Sequence, residues 1–306
     1  MKFLVTGANG DIALSIKEIL KRNFKNSAIH GCEINLNGKG KFHFDKVIKV
    51  PKSDDNDFID KLNNLSKRYD LIIPTVESEI KVFSKNYKKI KKSKFLLNNQ
   101  KLVNLFLDKL KTQQFLKKNK IGNLKFTDNL SNWKKYKFPM FLKLREGAGN
   151  QNYRVLLSKR DIPKSRDKSN QIIQEYLNVQ KEYTACIYSY LNIKKIVIFE
   201  RILDKDKSFY IKYVSIKSLE KKLLTISELI NLKGSINIQF KIFNNKLKIF
   251  EINPRLSSTV NMRDILGFKD CVWWIKDFLN IKYNLTNISY KKNTKMIRYE
   301  KIKIFN

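Results

Sequence analysis

GSINIQFKIFNNKLKIFEINPR, residues 234–255, holds two runs of alternating apolar and polar side chains on either side of a pair of asparagines. Period-two alternation marks half-buried strands, and the Asn-Asn step between them marks a turn. On the first strand Ile236, Ile238, Phe240 and Ile242 share one face and Asn237, Gln239 and Lys241 the other; on the second, Glu251 and Asn253 share a face. The connection sets the register. If residues 244–246 form the loop, Gln239 stands opposite Glu251; if Asn244 and Asn245 alone make the turn, Gln239 faces Phe250. In the first arrangement Gln239, Glu251 and Asn253 bring three oxygen-bearing groups to one sheet end. These are hard donors suited to Mg²⁺ that shares its other positions with water and phosphate oxygens. Arg255, two residues on, would meet the same phosphates and offset the charge that develops in phosphoryl transfer.

Two upstream stretches carry compatible chemistry. In FPMFLKLREGAGNQNYRV (138–155) Lys143 ends an apolar strand, Arg145 follows, and a loop holds Gly147 and Gly149. A cation fixed on a strand beside a flexible glycine loop suits a triphosphate, because the loop backbone can close over it. In IIQEYLNVQKEY (172–183) Gln174, Glu175, Tyr176 and Leu177 end a strand, and Glu182 begins the next. Backbone groups left free at a strand end can bond an adenine, and a carboxylate nearby can take ribose hydroxyls.

The first hundred residues differ in texture. FLVT (3–6), AIHGC (28–32), DKVIKV (45–50) and DLIIPT (70–75) are strand-length apolar runs separated by helical patterns, one reaching about Arg22 and one starting near Asp54. That order predicts a parallel, doubly wound sheet. Its opening turn, TGANGDIA (6–13), resembles the TGxxGxxG of short-chain dehydrogenases, with Ala13 in the third glycine's place. This supports an alternative, an NAD(P)-dependent dehydrogenase or epimerase, with Gly7 and Gly10 letting the backbone approach a pyrophosphate. The Tyr-x-x-x-Lys relay of that family is matched by Tyr87/Lys91, Tyr190/Lys194, Tyr213/Lys217 and Tyr299/Lys303. About two such matches are expected by chance among 13 tyrosines in so lysine-rich a chain, so these carry little information.

Composition narrows the classes. A chain of 306 residues that is 42% hydrophobic can bury a large core, and its length suits about two domains. The net charge of +35 raises a nucleic-acid partner, but only 10 of the 63 basic residues are Arg, and the lysines are spread along the whole chain. Specific phosphate and base recognition favours Arg, so the pattern reads as solvated lysine rather than a nucleic-acid footprint; a basic nucleic-acid-binding protein, marked by steep salt dependence, is the further alternative. The densest cluster, YKKIKKSK (87–94), reads as a solvated helix exit. Cys32, Cys186 and Cys271 are far apart and His30 and His43 are the only histidines, so zinc and Cys–His catalysis lack their residues. No run approaches a membrane span and no signal-peptide core follows Met1, which leads to the expectation of a soluble cytoplasmic protein without membrane insertion.

Together these motifs, in this order, resemble the ATP-grasp superfamily, most closely its carbamoyl-phosphate-synthetase-like branch of carboxylate-amine ligases. DLIIPTVESEI (70–80) looks like the end of a pre-ATP-grasp domain and DKLKTQQFLKKNKIG (108–122) like the lead-in helix. The resemblance implies an α/β fold, with a Rossmann-like pre-ATP-grasp domain over residues 1–98. A two-lobed α+β ATP-grasp domain with antiparallel sheets would follow over 99–306, its lid lobe at about 120–177 and its C-terminal lobe at about 178–306. It implies ATP and Mg²⁺, two ions with Mn²⁺ as a substitute. Lys109, Lys143 and Arg145 would contact phosphates, Gly147 and Gly149 would close over them, residues 174–177 would hold adenine and Glu182 ribose. Gln239, Glu251 and Asn253 would bind metal, and Arg255 would meet the γ-phosphate. Gln239 stands where many ATP-grasp enzymes have a carboxylate, and Leu144 replaces the usual proline. The implied partners are a small-molecule carboxylate and an amine or ammonia, with a homo-oligomer compatible. Specificity would lie in the N-terminal domain, the C-terminal tail and the face after Arg255, including Ser257, Ser258 and Arg263. No general base is evident.

Overall fold

The computed structural model describes residues 1–147, 153–163, 170–204, 207–288 and 290–299. The N-terminal part runs β1 (Lys2–Thr6), α1 (Asp11–Asn23), β2 (Ala28–Glu33), β3 (Lys46–Lys49), α2 (Phe58–Ser66), β4 (Leu71–Ile73) and α3 (Glu77–Lys85). The four strands pair in parallel in the order β3-β2-β1-β4. Alternation along β1 explains the layering: Phe3 and Val5 pack with Ala13, Ile16, Ile19 and Leu20 of α1. Leu4 faces the other way, onto Phe58 and Leu62 of α2 and Phe83 of α3. Parallel strands buried on both faces read as continuous apolar runs, which is how 3–5 and 71–73 appear in the sequence.

Helices α4 (Gln100–Phe106) and α5 (Lys109–Lys118) follow, then β5 (Phe126–Thr127), β6 (Met140–Leu144), β7 (Arg154–Leu156) and β8 (Gln171–Glu175). Asp108 starts α5 by accepting the backbone N–H groups of Leu110 and Lys111, the N-cap geometry its side chain favours. The four strands form a small antiparallel sheet in the order β5-β8-β6-β7.

The remainder comprises β9 (Glu182–Tyr190), β10 (Ile193–Asp204), β11 (Lys207–Val214), α6 (Lys217–Leu229), β12 (Gly234–Phe243), β13 (Lys246–Asn253), α7 (Val260–Ile265), α8 (Asp270–Phe278) and β14 (Lys295–Ile297). Six strands make an antiparallel sheet in the order β13-β12-β9-β10-β11-β14. One face, with Ile187, Ile236, Ile238, Phe240 and Ile249, packs on α4, α5 and α6. The other packs Tyr188, Val197 and Phe199 on α8, and that core continues into α1 of the N-terminal part. Arg22 reinforces the junction by donating to Asn261 at 2.6 Å and Asp264 at 2.8 Å.

The connection between β12 and β13 is the two-residue turn: Phe243 pairs with Lys246, and Asn244 and Asn245 take φ of +49° and +57°, the left-handed pair of a type I′ hairpin. Sequence reasoning attached that turn to the register that opposes Gln239 to Phe250. Instead Gln239 pairs with Glu251 and Phe240 with Ile249, so Phe250 is bulged out of the ladder. The extra residue restores the alignment that the short turn would have lost. Helix α7 and the short strand β5 are elements the sequence reading did not anticipate.

Candidate active site

The small sheet and the six-stranded sheet enclose a cavity of about 680 Å³, within the range of nucleotide-sized sites. Its wall includes Lys109 and Gly147, Lys143 on β6, residues 174–177 after β8, Glu182 at the start of β9, and Gln239 and Glu251 from the bulged hairpin. Ten of the sequence-predicted positions therefore converge here. Gly149 lies outside the described residues.

Lys143 is held by its neighbours. Its Nζ donates to the carbonyl oxygen of Phe250 at 3.1 Å, the residue that the bulge removes from the ladder. Burial lowers its ammonium group to about 7; Glu251 pulls the value back up and Lys109 pushes it down. Lys109 Nζ donates to Gly147 O at 2.9 Å, so a second cation is tied to the edge of the glycine loop.

Arg145 departs from expectation. It does not line the cavity; its guanidinium bonds Asp108 at 2.7 Å and 3.3 Å. Burial pushes the Asp108 carboxyl up, but the Arg145 hydrogen bond and the backbone donors of α5 outweigh that, leaving it below the usual carboxylate range. The backbone of Lys109 also donates to Arg145 O at 2.9 Å. Arg145 thus fastens the end of β6 to the start of α5, setting where Lys143 and Lys109 stand relative to each other.

Arg201 was missed. It lies on β10 directly opposite Glu182, donates to Glu182 Oε1 from Nε at 2.9 Å and to Gln239 Oε1 from a terminal nitrogen at 2.9 Å. The available signal was an arginine on the strand face it shares with Val197 and Phe199, which are buried. Glu182 is therefore ion-paired rather than open, and the Gln239 amide is oriented with its oxygen toward the guanidinium. Lys241 is a further cation on the wall, anchored to Val179 O at 2.9 Å.

A second cavity, of about 310 Å³, shares Arg201, Leu203, Gln239 and Glu251 with the first. Its other walls are Asn237, Asn253, Arg255, Ser257 and Ser258 on one side, and the N-terminal part on the other: residues 10–12 at the start of α1 and 75–77 before α3. Asn253 and Arg255 thus belong to this smaller chamber. Ser257 and Ser258 line it as expected, but Arg263 does not. Arg263 is fully buried and bonds Asp270 twice at 2.8 Å, with Ser257 and Thr259 each at 3.0 Å, so it holds the loop after β13 in place.

Among the described residues no group of three or more His, Cys, Asp or Glu side chains could hold an ion. Glu251, with the amide oxygens available from Gln239 and Asn253, is a hard but weakly charged set. It fits Mg²⁺ that brings phosphate and water ligands of its own. The Gln239 oxygen that accepts from Arg201 keeps a second lone pair.

The glycine turn is poorly suited to a dinucleotide. Its outer side is covered by the chain's own 35–40 segment: Asn9 donates to Asn35 O at 2.9 Å and accepts from Gly40 N at 2.9 Å. A Cβ on Gly40 would lie 2.8 Å from Ala8 O, so the segment is pressed onto the turn.

A parallel sheet followed by two antiparallel sheets that clasp a cavity is a fold shared with solved ATP-dependent enzymes, and the C-terminal part of the chain resembles the ATP-grasp family. Residues 167–303 match the family model described as ATP-grasp in the biosynthetic pathway with Ter operon. Among solved structures, N5-carboxyaminoimidazole synthetase from Staphylococcus aureus superposes with a TM-score of 0.72 at 15% identity, covering 94% of this chain and 79% of that one. The biotin carboxylase β,γ-ATP complex from Campylobacter jejuni gives 0.72 at 16% identity, covering 92% and 72%. The biotin carboxylase domain of Hydrogenobacter thermophilus 2-oxoglutarate carboxylase, in complex with MgADP, ADP and bicarbonate, gives 0.74 at 15%, covering 96% and 73%. No curated protein matches the chain by sequence. Among the described residues no helix is long and apolar enough to cross a membrane.

Proposed function

We propose that this chain is an ATP-dependent carboxylate-amine ligase that forms an amide through an acyl phosphate. The observation that carries the reading is the shared wall. Gln239 and Glu251 belong to both cavities, so a nucleotide in the larger presents its γ-phosphate to an acceptor in the smaller. In this reading residues 1–98 are the Rossmann-like pre-ATP-grasp domain and supply one side of the acceptor chamber.

Residues 174–177 and Leu124 hold the base, and Glu182, positioned by Arg201, meets the ribose. Lys109 and Lys143 neutralise the phosphate chain. Gln239, Glu251 and Asn253 would hold the Mg²⁺ ions, two in this reading, which supply further charge neutralisation when bound. A carboxylate oxygen of the acceptor attacks the γ-phosphorus, its bond to the β,γ-bridging oxygen breaks, and ADP leaves. An amine then attacks the acyl carbon, loses a proton, and expels inorganic phosphate as the C–N bond forms. Arg255 stabilises the negative charge in both steps, and the partly enclosed chamber limits hydrolysis of the intermediate.

Thermal melting tests the reading. Mg-ATP raises the melting temperature, a hundredfold excess over Kd adding about 2.7 kcal/mol, whereas ATP with chelator has a smaller effect and NAD(H) or NADP(H) has none. Glu251→Gln loses the magnesium-dependent part. Stabilisation by a dinucleotide without ATP would refute the ligase and move the site to Gly7.

A further inference from the structure

The smaller chamber holds polar groups that lack partners, and their signs describe a ligand. Asn237 is 1% exposed; its amide nitrogen donates to Thr184 Oγ1 at 2.6 Å and to Ala185 O at 3.2 Å, while its Oδ1 has no hydrogen-bond partner. Because the Ala185 carbonyl can only accept, the amide orientation is set, and a buried acceptor is left at the chamber wall. The Glu77 carboxylate makes no hydrogen bond among the described residues. Its closest charge is Arg255, 3.9 Å away. Burial raises its carboxyl above the usual range; Arg255 opposes this and Glu251 adds to it. Arg255 uses one terminal nitrogen on Leu256 O at 3.0 Å, and its buried Nε has no acceptor.

Two other charges on this wall are already matched, and Glu251 is assigned to the metal in the ligase reading. Asp11 pairs with Lys39 at 2.8 Å and Arg298 at 3.4 Å, and Arg201 pairs with Glu182. What remains is one buried acceptor without a donor, Asn237 Oδ1, and the Glu77 carboxylate held only by its 3.9 Å ion pair with Arg255, beside one donor without an acceptor, Arg255 Nε. Buried polar groups are nearly always satisfied, so this triple calls for a ligand carrying both a donor and an acceptor.

We infer that the chamber binds a free α-amino acid, with its carboxylate on Arg255 and its ammonium group on Glu77 and Asn237. The close approach of Arg255 and Glu77 suits charges separated by one carbon, and 310 Å³ holds about ten non-hydrogen atoms. This rests on the ligase reading and extends it: the carboxylate on Arg255 lies beside Glu251, where the γ-phosphate arrives, so the amino acid is the acyl donor. Glu77 keeps its amine protonated, which prevents one activated amino acid from being attacked by another in the same chamber.

Saturation-transfer NMR on the full chain tests this, with the twenty protein amino acids in both enantiomers as probes, with and without Mg²⁺ and AMP-PNP. At least one free amino acid gives a transfer signal, and its N-acetyl and carboxamide forms bind at least tenfold more weakly. Glu77→Gln removes the preference for the free amine without weakening AMP-PNP. Absence of any amino-acid signal while AMP-PNP binds overturns the inference and leaves the ligase reading standing, as does equal binding of the N-acetyl form. Failure of AMP-PNP itself to bind would refute the ligase instead, and amino-acid binding without nucleotide would still be read on its own. Because the acetyl and amide comparison changes the ligand and not the protein, a folding defect in the variant cannot mask the answer.

Discussion

If the triphosphate sits beside Lys143 as proposed, nucleotide binding will take up a proton, with Lys143 the group that accepts it. In the free protein burial lowers its ammonium group to about 7, with its Nζ 3.1 Å from the Phe250 carbonyl. A triphosphate beside Nζ favours the charged form and returns the group toward its ordinary value of about 10.4. At pH 8 the free group is then about one-tenth protonated and the bound group almost fully, an uptake of about 0.9 proton; at pH 6 the uptake falls to about 0.1. Affinity for AMP-PNP weakens about fivefold from pH 7 to 8 and about tenfold from pH 8 to 9, the latter about 1.4 kcal/mol. The sign for the free protein is opposite. A lysine depressed to about 7 gives the unfolded state more bound protons from pH 7 to about 10, so stability without nucleotide rises through that window. Isothermal titration of AMP-PNP at pH 8 in excess Mg²⁺, repeated in buffers of different ionisation enthalpy, reads the uptake as a slope. A slope of zero, or the same slope in Lys143→Met, would refute the assignment.

Arg201→Met leaves Glu182 and Gln239 Oε1 without their shared donor. Breaking a buried pair costs about 3–5 kcal/mol; Glu182 keeps some solvent contact, so urea denaturation should show about 2 kcal/mol with weaker AMP-PNP binding. Unchanged affinity would remove Arg201 from the site. Arg263→Met strands Asp270, whose side chain is 1% exposed, and should lose about 3–5 kcal/mol in the same assay. Arg263→Met with Asp270→Leu recovers much of this, because both charges are then gone; no recovery would mean that the Ser257 and Thr259 contacts dominate.

The sequence by itself determined most of the elements and most of the side chains that line the larger cavity. Alternation over 234–253 marked two strands and the faces of Gln239, Glu251 and Asn253, and the apolar runs before Asp70 marked a parallel sheet. These signals are legible because side-chain periodicity reflects burial residue by residue. The register was not legible: a two-residue turn and the bulge at Phe250 act in opposite senses, and a bulge has no fixed sequence mark. Arg145 illustrates a second limit. A cation beside a glycine loop reads as a phosphate ligand until Asp108, 37 positions earlier, is seen to take it. Only the tertiary structure brought Glu77 within 3.9 Å of Arg255, and Arg201 between Glu182 and Gln239. Charge and hydrogen bonding act over a few ångströms of space whatever the separation along the chain. Much of the wall of the larger cavity could therefore be read from local strand patterns, whereas the smaller chamber, lined by residues 10–12 and 75–77, by residues between 237 and 258, and by Arg201 and Leu203, exists only once the two halves pack.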